Sequence, residues 1–149
     1  MIRAMRREDI TRVMEIAAGL PEAPQWREDA YARALNPEAI PSRVAIVADD
    51  PEAGVAGFAV AAMIPPQAEL EMIGVGRSGQ RRGLGARLLA ELFAILKNRE
   101  ITEVTLEVRE SNQTARAFYA ARGFEQTGRR PGYYADPKED ALLLARRLP

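Results

Sequence analysis

The sequence predicts one mixed α/β domain, in which a mixed central sheet is flanked by helices. The 149 residues are the ordinary size of a single compact domain, so the whole chain, 1–149, is interpreted as one. Hydrophobic residues make up 47% of it, which supports one core. β-rich runs and segments with helical spacing of apolar residues follow in the order β-α-α-β-β-β-α-β-α-β-β. The β-α-β unit in the second half predicts a parallel strand pair there.

The first half of the chain predicts a strand, two helices and a β-hairpin. In chain order, the segments are a strand over Met1–Arg6, helices over Glu8–Leu20 and Arg27–Leu35, and strands over Arg43–Asp49 and Val55–Ile64. Pro21 closes the first helix, because proline cannot continue it. Asp49–Gly54 is rich in turn residues, which indicates a hairpin between the two strands.

The second half predicts two strand–helix pairs followed by two strands. In chain order, the segments are a strand over Glu69–Val75, a loop over Gly76–Arg82, a helix over Leu84–Leu96, a strand over Thr102–Arg109, a helix from Asn112 to Arg122 and two strands between Phe124 and Leu148. Asn112 is suited to cap its helix, and Gly123 is suited to the left-handed residue after it. A turn at Ala135–Lys138 separates the last two strands.

The composition excludes several classes of site. The chain has neither cysteine nor histidine, which excludes disulfides, Cys/His zinc sites, Ser-His-Asp triads and cysteine nucleophiles. A general base must be Glu, Asp, Tyr, Lys, a terminal amine or water. Basic and acidic residues number 21 each, and this zero net charge argues against a nucleic-acid partner. The charged start and the absence of an apolar run near ~20 residues predict a cytoplasmic protein without a membrane partner.

Two overlapping glycine patterns occupy the loop before the long helix. Gly74–Gly79 fits the G-x-G-x-x-G dinucleotide fingerprint, and Gln80–Gly85 fits Q-x-x-G-x-G directly before the helix. The second is favoured, because Gly79 lies too far from the helix and no acidic residue follows at the required spacing. Amide groups at the helix start, with Arg81 and Arg82 beside them, predict a pyrophosphate-binding loop. A solvated arginine pair before an ordinary helix start is the alternative.

These motifs together resemble the GNAT superfamily of acetyl-CoA-dependent N-acetyltransferases. The match consists of the strand Leu70–Val75, the loop Gln80–Gly85, the strand Val104–Val108 and the block Asn112–Phe124. Within the superfamily the chain is most similar to the bacterial ribosomal-protein-alanine N-acetyltransferases, notably in the tail Arg129–Tyr134. The similarity is dense from about Glu69 to Leu148. It implies a GNAT-like fold and acetyl-CoA as co-substrate, without a metal.

The resemblance also implies where acetyl-CoA binds. The backbone of Ile73, Gly74 and Val75 is expected to pair with the pantetheine arm, with the Val75 N–H polarising the acetyl carbonyl. The expected pyrophosphate-binding residues are Gln80, Arg81, Arg82, Gly83, Leu84, Gly85 and Ala86. Asn112 is expected either to hydrogen-bond the pantetheine or only to cap its helix.

Catalytic and acceptor residues follow from the same resemblance. Glu107 is the implied general base, with an exposed glutamate on a polar strand face as the alternative. Tyr119 is the implied general acid for the leaving thiol, with a core aromatic residue as the alternative. The residues implied to line the acceptor side are Trp26, Tyr31, Tyr133 and Tyr134. Without cysteine, direct attack of the amine in a ternary complex is the mechanism left.

Three functions are consistent with these residues. The first is acetyl transfer to the N-terminal amine of a protein, with the N-terminal alanine of a ribosomal protein as a candidate. The second is the same chemistry on a small-molecule amine, and the third is a non-catalytic acyl-CoA-binding domain. The sequence does not indicate an oligomeric state.

Overall fold

The computed structural model describes residues 1–80 and 82–149, and it places helices on both faces of a seven-stranded sheet. The elements are β1 (Ile2–Ala4), α1 (Ile10–Ala18), α2 (Glu28–Ala34), β2 (Ser42–Asp50), β3 (Gly54–Ile64), β4 (Gln67–Val75), α3 (Leu84–Lys97), β5 (Glu103–Arg109), α4 (Gln113–Ala120), β6 (Glu125–Tyr134) and β7 (Glu139–Arg147). This order confirms the predicted one. The predicted first helix differs at its start, because Arg7–Asp9 form a 3-10 turn before α1.

The sheet has the strand order β1-β2-β3-β4-β5-β7-β6. The β4–β5 pair is parallel, as the β-α-β unit predicted, and the other neighbouring pairs are antiparallel. α3 connects β4 to β5 and packs on one face of the sheet, whereas α1 and α2 pack on the other. None of the helices in the described ranges combines the length and apolarity that crossing a bilayer requires.

Each face of the sheet has its own apolar cluster. Under α3, the leucines of the helix meet the inward residues of β5, which are Val104, Leu106 and Val108. Under α1 and α2, residues such as Val13 and Tyr31 meet Phe58 and Met72 of the sheet. The strict alternation along β5 confirms the predicted half-buried strand, and it sends Glu107 to the face opposite α3.

The end of α4 follows the predicted C-terminal signal. Ala120 is the last helical residue, and Gly123 has a φ of 88°, a left-handed conformation in which glycine has no Cβ penalty. Asn112 caps the other end, because its Oδ1 accepts a hydrogen bond from the Ala115 N–H at 3.1 Å. Both ends of this helix are therefore fixed by local sequence.

A buried carboxylate joins the start of the chain to the sheet. Asp9 is 5% exposed, and it accepts hydrogen bonds from Arg3 at 2.8 and 3.0 Å and from the Arg6 N–H at 2.7 Å. Arg3 also donates to Asp49 on β2 at 3.0 Å. The hydrogen bonds from Arg3 lower the pKa of Asp9, against the opposing effect of burial.

Asp9→Asn is expected to lower the free energy of unfolding by roughly 1–3 kcal/mol at pH 7, because it leaves the partly buried Arg3 charge without one of its two carboxylate partners. Since the pKa of Asp9 is lower in the folded state, its contribution is present above the ordinary aspartate pKa of about 3.9 and is lost as the pH falls below it. Urea unfolding of wild type and variant from pH 7 to pH 3 should show the gap narrowing. The exposed Asp136→Asn variant is the control, and a gap that does not change with pH would contradict the interpretation.

Candidate active site

The parallel strands β4 and β5 separate after three residue pairs. Gln67, Ala68 and Glu69 pair with Glu103, Val104 and Thr105, and neither strand continues the pairing beyond Glu69–Thr105. β4 then follows only β3, up to Val75, while β5 follows only β7, up to Arg109. Between residues 70–75 and 106–109 the sheet is therefore open, and each strand lacks a neighbour on the side that faces the gap.

A β-bulge in β4 lies at this opening. Val60 of β3 is opposite Met72, whereas the next residue, Ala61, is opposite Leu70, so Glu71 is the extra residue. Leu70 packs under α3, and Met72 packs on the other face against α1 and α2. Because the bulge reverses the alternation of side chains, Ile73 and Val75 turn towards α3. The apolar side chains at the end of β4 therefore line the α3 face of the opening.

The N-terminus of α3 borders this opening beyond the last residue of β4. Gly83 occupies the position before the helix with a φ of 71°, and no side chain caps the first turn. A Cβ at Gly83 would contact nothing within 4 Å, so the backbone is approachable. The amide groups of Leu84, Gly85 and Ala86 therefore point out of the helix end, where an anion binds favourably.

Two further predicted loop residues hold the loop in shape. Gln80 donates from Nε2 to the Val75 carbonyl at 3.0 Å, which ties the loop to the end of β4. Arg82 donates to the Ser78 carbonyl at 3.1 Å, and its guanidinium lies 3.8 Å from Asp50. Arg81, which the sequence also predicted to bind pyrophosphate, lies outside the described residues.

The alternative dinucleotide pattern does not match the local structure. Gly74 lies inside β4, where a Cβ would be 2.8 Å from the Phe58 ring and 2.9 Å from Leu20. Gly79 ends a 3-10 turn and packs against Leu84, the first residue of α3. Both glycines are therefore explained by close packing of the sheet and the loop, and the helix starts within the second pattern, at Leu84.

Tyr119 lies on the α3 side of the sheet. Its ring is 5.3 Å from the ring of Phe118 and 5.4 Å from that of Phe124, between centroids. Phe118 in turn would lie 3.5 Å from a Cβ at Gly85, so α4 borders the start of α3. Burial raises the pKa of Tyr119 to about 12, which keeps the hydroxyl protonated at neutral pH. Asn112 serves as the helix cap, and a second role in cofactor binding stays a prediction.

Glu107 lies on the opposite face, with two residues of the last hairpin. Its carboxylate is 3.6 Å from the guanidinium of Arg130, and its side chain is 18% exposed. The negative charge of Glu107, followed by a hydrogen bond with it, raises the pKa of Tyr133. For Tyr134, burial is the larger cause and the charge of Glu107 the second. Both tyrosines thus adjoin the predicted base.

An arginine joins the segments around this face. Arg109, at the end of β5, stacks 4.2 Å from the centroid of the Tyr134 ring and pairs with Glu139 at 3.2 Å. Its Nε also lies 3.6 Å from Glu22 in the loop between α1 and α2. The hairpin, β5 and the α1–α2 loop therefore meet at one rim.

The two aromatic residues predicted from the first half have different positions. Trp26 is half-buried, and the guanidinium of Arg43 lies 5.9 Å from its ring. Tyr31 is 0% exposed, and its hydroxyl donates to the Met72 sulfur at 3.6 Å. The Tyr31 side chain therefore packs in the core under α1 and α2 and presents no surface to an acceptor. The sequence expectation of direct contact is corrected in this respect.

Sequence reasoning missed a group of charged residues on the same face as Glu107. These are Glu22, Arg43, Glu69, Glu71, Arg109 and Arg130. Arg43 pairs with Glu71 at 2.7 Å across β2 and β4. The alternation of glutamates in β4 was the available signal, but the bulge and the cross-strand partners depend on tertiary structure. No group of three or more acidic residues within 1–80 and 82–149 is placed to hold a metal ion.

Comparison with known proteins places this arrangement in a family. The profile of the Acetyltransferase (GNAT) family matches residues 6–124. A Bacillus subtilis (strain 168) protein provisionally named as a ribosomal protein bS18-alanine N-acetyltransferase is 30% identical over 143 residues, covering 96% of this chain and 92% of that protein. The Escherichia coli (strain K12) protein of that name is 39% identical over 93 residues, which is 61% of this chain and 63% of its own length.

Solved structures give the same result. The crystal structure of the ribosomal-protein-S18-alanine N-acetyltransferase from Escherichia coli superposes with a TM-score of 0.86 at 29% identity, covering 99% of this chain and 93% of that one. Ard1 from Thermoplasma volcanium superposes with a TM-score of 0.84 at 26% identity, covering 100% and 97%. The chain belongs to the GNAT acetyltransferase family and is an N-acetyltransferase of that family.

Proposed function

We propose that this N-acetyltransferase uses acetyl-CoA to acetylate the N-terminal amine of a protein, with the N-terminal alanine of a ribosomal protein as the first acceptor to test. The opening between β4 and β5 is the observation that carries the proposal. It has a carboxylate, Glu107, on one face, and an uncapped helix start with the protonated Tyr119 on the other. An amine and a thioester approaching from opposite faces would meet through this gap.

The described residues fit the chemistry of acetyl-CoA. The amides of Leu84, Gly85 and Ala86 would hold its pyrophosphate, with Arg82 beside them. The backbone at Ile73, Gly74 and Val75 would take the pantetheine arm, because this part of β4 has a strand on one side only. The bound thioester supplies the acetyl group, and the Val75 N–H would polarise its carbonyl.

Two side chains would move the protons. An α-amine has a pKa near ~7.7–8.0, so at neutral pH it is mostly protonated and must lose a proton before it attacks. Glu107 would accept that proton, directly or through water, and Tyr119 would donate its own to the departing sulfur. With no cysteine in the chain, an acetyl-cysteine enzyme intermediate is excluded, which leaves direct transfer.

The names of relatives and the residues at the rim both support a protein N-terminus as the acceptor. Two proteins that match over most of this chain, one by sequence and one by structure, carry names of ribosomal-protein-alanine N-acetyltransferases. The rim formed by Tyr133, Tyr134 and Arg109 combines aromatic and charged side chains, a surface suited to an extended peptide. Trp26 lies in the α1–α2 loop, which also reaches this rim through Glu22. Tyr133 is 51% exposed and so is available for contact.

A peptide panel tests the acceptor directly. The protein is incubated with acetyl-CoA and peptides that start with Ala, Ser, Met or Gly, and product is located by mass spectrometry. We expect acetylation at the N-terminal nitrogen, with none on an N-terminally blocked peptide that contains lysine. Turnover with polyamines or amino acids, but with no peptide, would support the small-molecule alternative. Acetyl-CoA binding without turnover on any amine would support a non-catalytic domain.

The two proton-transfer residues are distinguished by substitution. Glu107→Gln should lower kcat by roughly 10²–10⁴-fold and leave acetyl-CoA affinity nearly unchanged, because the base acts on the amine. Tyr119→Phe should lower kcat while the acid limb of the pH profile stays in place, because its hydroxyl acts on the sulfur. The matched control for Glu107 is Glu103→Gln on the same strand, where the carboxylate only accepts from Gln67 at 2.8 Å. Wild-type turnover in Glu107→Gln would remove this residue from the mechanism.

The loop arginines should contribute through charge. Arg81→Ala combined with Arg82→Ala is expected to weaken acetyl-CoA binding by about tenfold or more at low salt, since charged hydrogen bonds to phosphate are lost. The difference from wild type should shrink as salt rises, because ionic contacts are screened. Calorimetric titration with acetyl-CoA at two salt concentrations measures both effects. Arg99→Ala, just after the far end of α3, is the control and should bind like wild type.

A further inference from the structure

An arginine of β2 lies next to the bulge of β4, on the sheet face that carries Glu107. Val44 is buried under α3 and Ala45 packs under α1 and α2, so the alternation along β2 places Arg43 on this face. Arg43 donates from Nε and Nη2 to the two carboxylate oxygens of Glu71, at 2.7 and 3.3 Å. Both side chains are 17% exposed, so this bidentate ion pair is largely shielded from water.

The same guanidinium lies over the indole of Trp26. Its central carbon is 5.9 Å from the centroid of the ring, within the distance at which an arginine is attracted to an aromatic face. Trp26 is the single tryptophan of the chain, and it lies in the loop between α1 and α2. Because Glu71 accepts from Nε and Nη2 along one edge, the planar guanidinium can pair with this carboxylate and contact the ring at the same time.

A second contact places Trp26 against the bulge. The rings of Trp26 and Tyr31 are 5.4 Å apart between centroids, and the Tyr31 hydroxyl donates to the Met72 sulfur at 3.6 Å. Tyr31 is fully buried, whereas Trp26 is half-buried and keeps part of its ring accessible to a ligand. The two neighbours of the indole thus connect it to adjacent residues at the bulge, Glu71 and Met72.

The α1–α2 loop is in contact with both arms of the opening. Near its start, Glu22 lies 3.6 Å from Arg109 at the end of β5. Near its end, Trp26 lies by the bulge of β4. Gln25 ties the segment between them to α1, because its Nε2 donates to the Ala17 carbonyl at 2.8 Å. The loop therefore connects the two strands on the face from which the proposed amine approaches.

We propose that Arg43 is a positioning residue for the acceptor peptide, which holds Trp26 beside the bulge of β4 so that the indole forms one wall of the acceptor site. The inference rests on the proposed acetyl transfer to an N-terminal amine, and it gives the ion pair of Arg43 with Glu71 a role in acceptor binding. The guanidinium is occupied by Glu71 and Trp26, so it acts through the indole. Its loss should therefore raise the KM for the peptide and leave kcat and acetyl-CoA affinity nearly unchanged.

Arg43→Lys tests this role while the fold is preserved, because lysine keeps a positive charge beside Glu71. A single ammonium lacks the planar donor edge of arginine, so it pairs with the carboxylate and no longer holds the indole. With the peptide that gives the highest kcat/KM, we expect KM to rise about 3- to 30-fold, the range of a cation–aromatic contact. The kcat and the KM for acetyl-CoA should change less than about twofold. Arg33→Lys, on the exposed side of α2, is the matched control and should keep the wild-type constants.

A double-mutant cycle shows whether Arg43 acts through Trp26. Trp26→Leu should raise the peptide KM at least as much as Arg43→Lys does, because it removes the wall itself. Adding Arg43→Lys to Trp26→Leu should raise the KM no further, since the arginine then has no indole to hold. Effects that multiply in the double variant would show that Arg43 influences the acceptor by another route, and they would overturn the inference.

Fluorescence of the single tryptophan gives a readout that needs neither turnover nor a ligand. In Arg43→Lys, the emission should shift to longer wavelength and acrylamide quenching should increase, because the released indole is more exposed to water, while Arg33→Lys should match wild type. If the emission, the quenching or the peptide KM of Arg43→Lys stays at its wild-type value, the inference fails even when peptides are acetylated. If quenching increases as expected but the wild-type protein acetylates no peptide, it is the proposed function that fails.

Discussion

The separation of β4 and β5 is the constraint on which the rest of the site depends. A parallel pair in the middle of a sheet normally continues its hydrogen bonding, because unpaired backbone groups are costly away from water. Here the pairing ends at Glu69 and Thr105, and both strands continue for several residues with a neighbour on one side only. The bulge at Glu71 reverses the alternation of the β4 side chains at this point. A ligand with amide groups can then complete the interrupted sheet, which is the chemistry that a pantetheine arm offers.

The same opening divides the chemistry between two faces. The strict alternation along β5 directs Leu106 and Val108 to the core under α3 and Glu107 to the other side. Tyr119 comes from α4 on the core side, where its ring is held between two phenylalanines. The proposed base, Glu107, and the proposed acid, Tyr119, therefore lie on opposite faces of the opening. This arrangement follows from the period of a β-strand and from the position of one helix.

The sequence predicted the elements well because their signals are local. The periodicity of α3, the alternation of β5 and the glycine at 123 each depend on a few neighbouring residues, and the structure confirms them. The acceptor face depended on contacts between distant segments. Tyr31 was expected to line the acceptor side, but its side chain is buried in the core, where its hydroxyl donates to the Met72 sulfur. The sequence analysis did not single out Glu69 or Glu71, because neither the bulge nor the pairing of Glu71 with Arg43, 28 residues away, follows from a local pattern.

Because the chain has no histidine, the glutamates on this face of the opening are candidates for the proton acceptor. Histidine is the side chain whose ordinary pKa suits proton transfer at neutral pH, and a chain without it must shift another group. A lone exposed glutamate, with a pKa near ~4.3, is a weak base for an ammonium. Burial and neighbouring negative charge raise the pKa of Glu69, and burial raises that of Tyr119. Burial at this opening therefore shifts the pKa of both groups in the direction that favours their protonated forms.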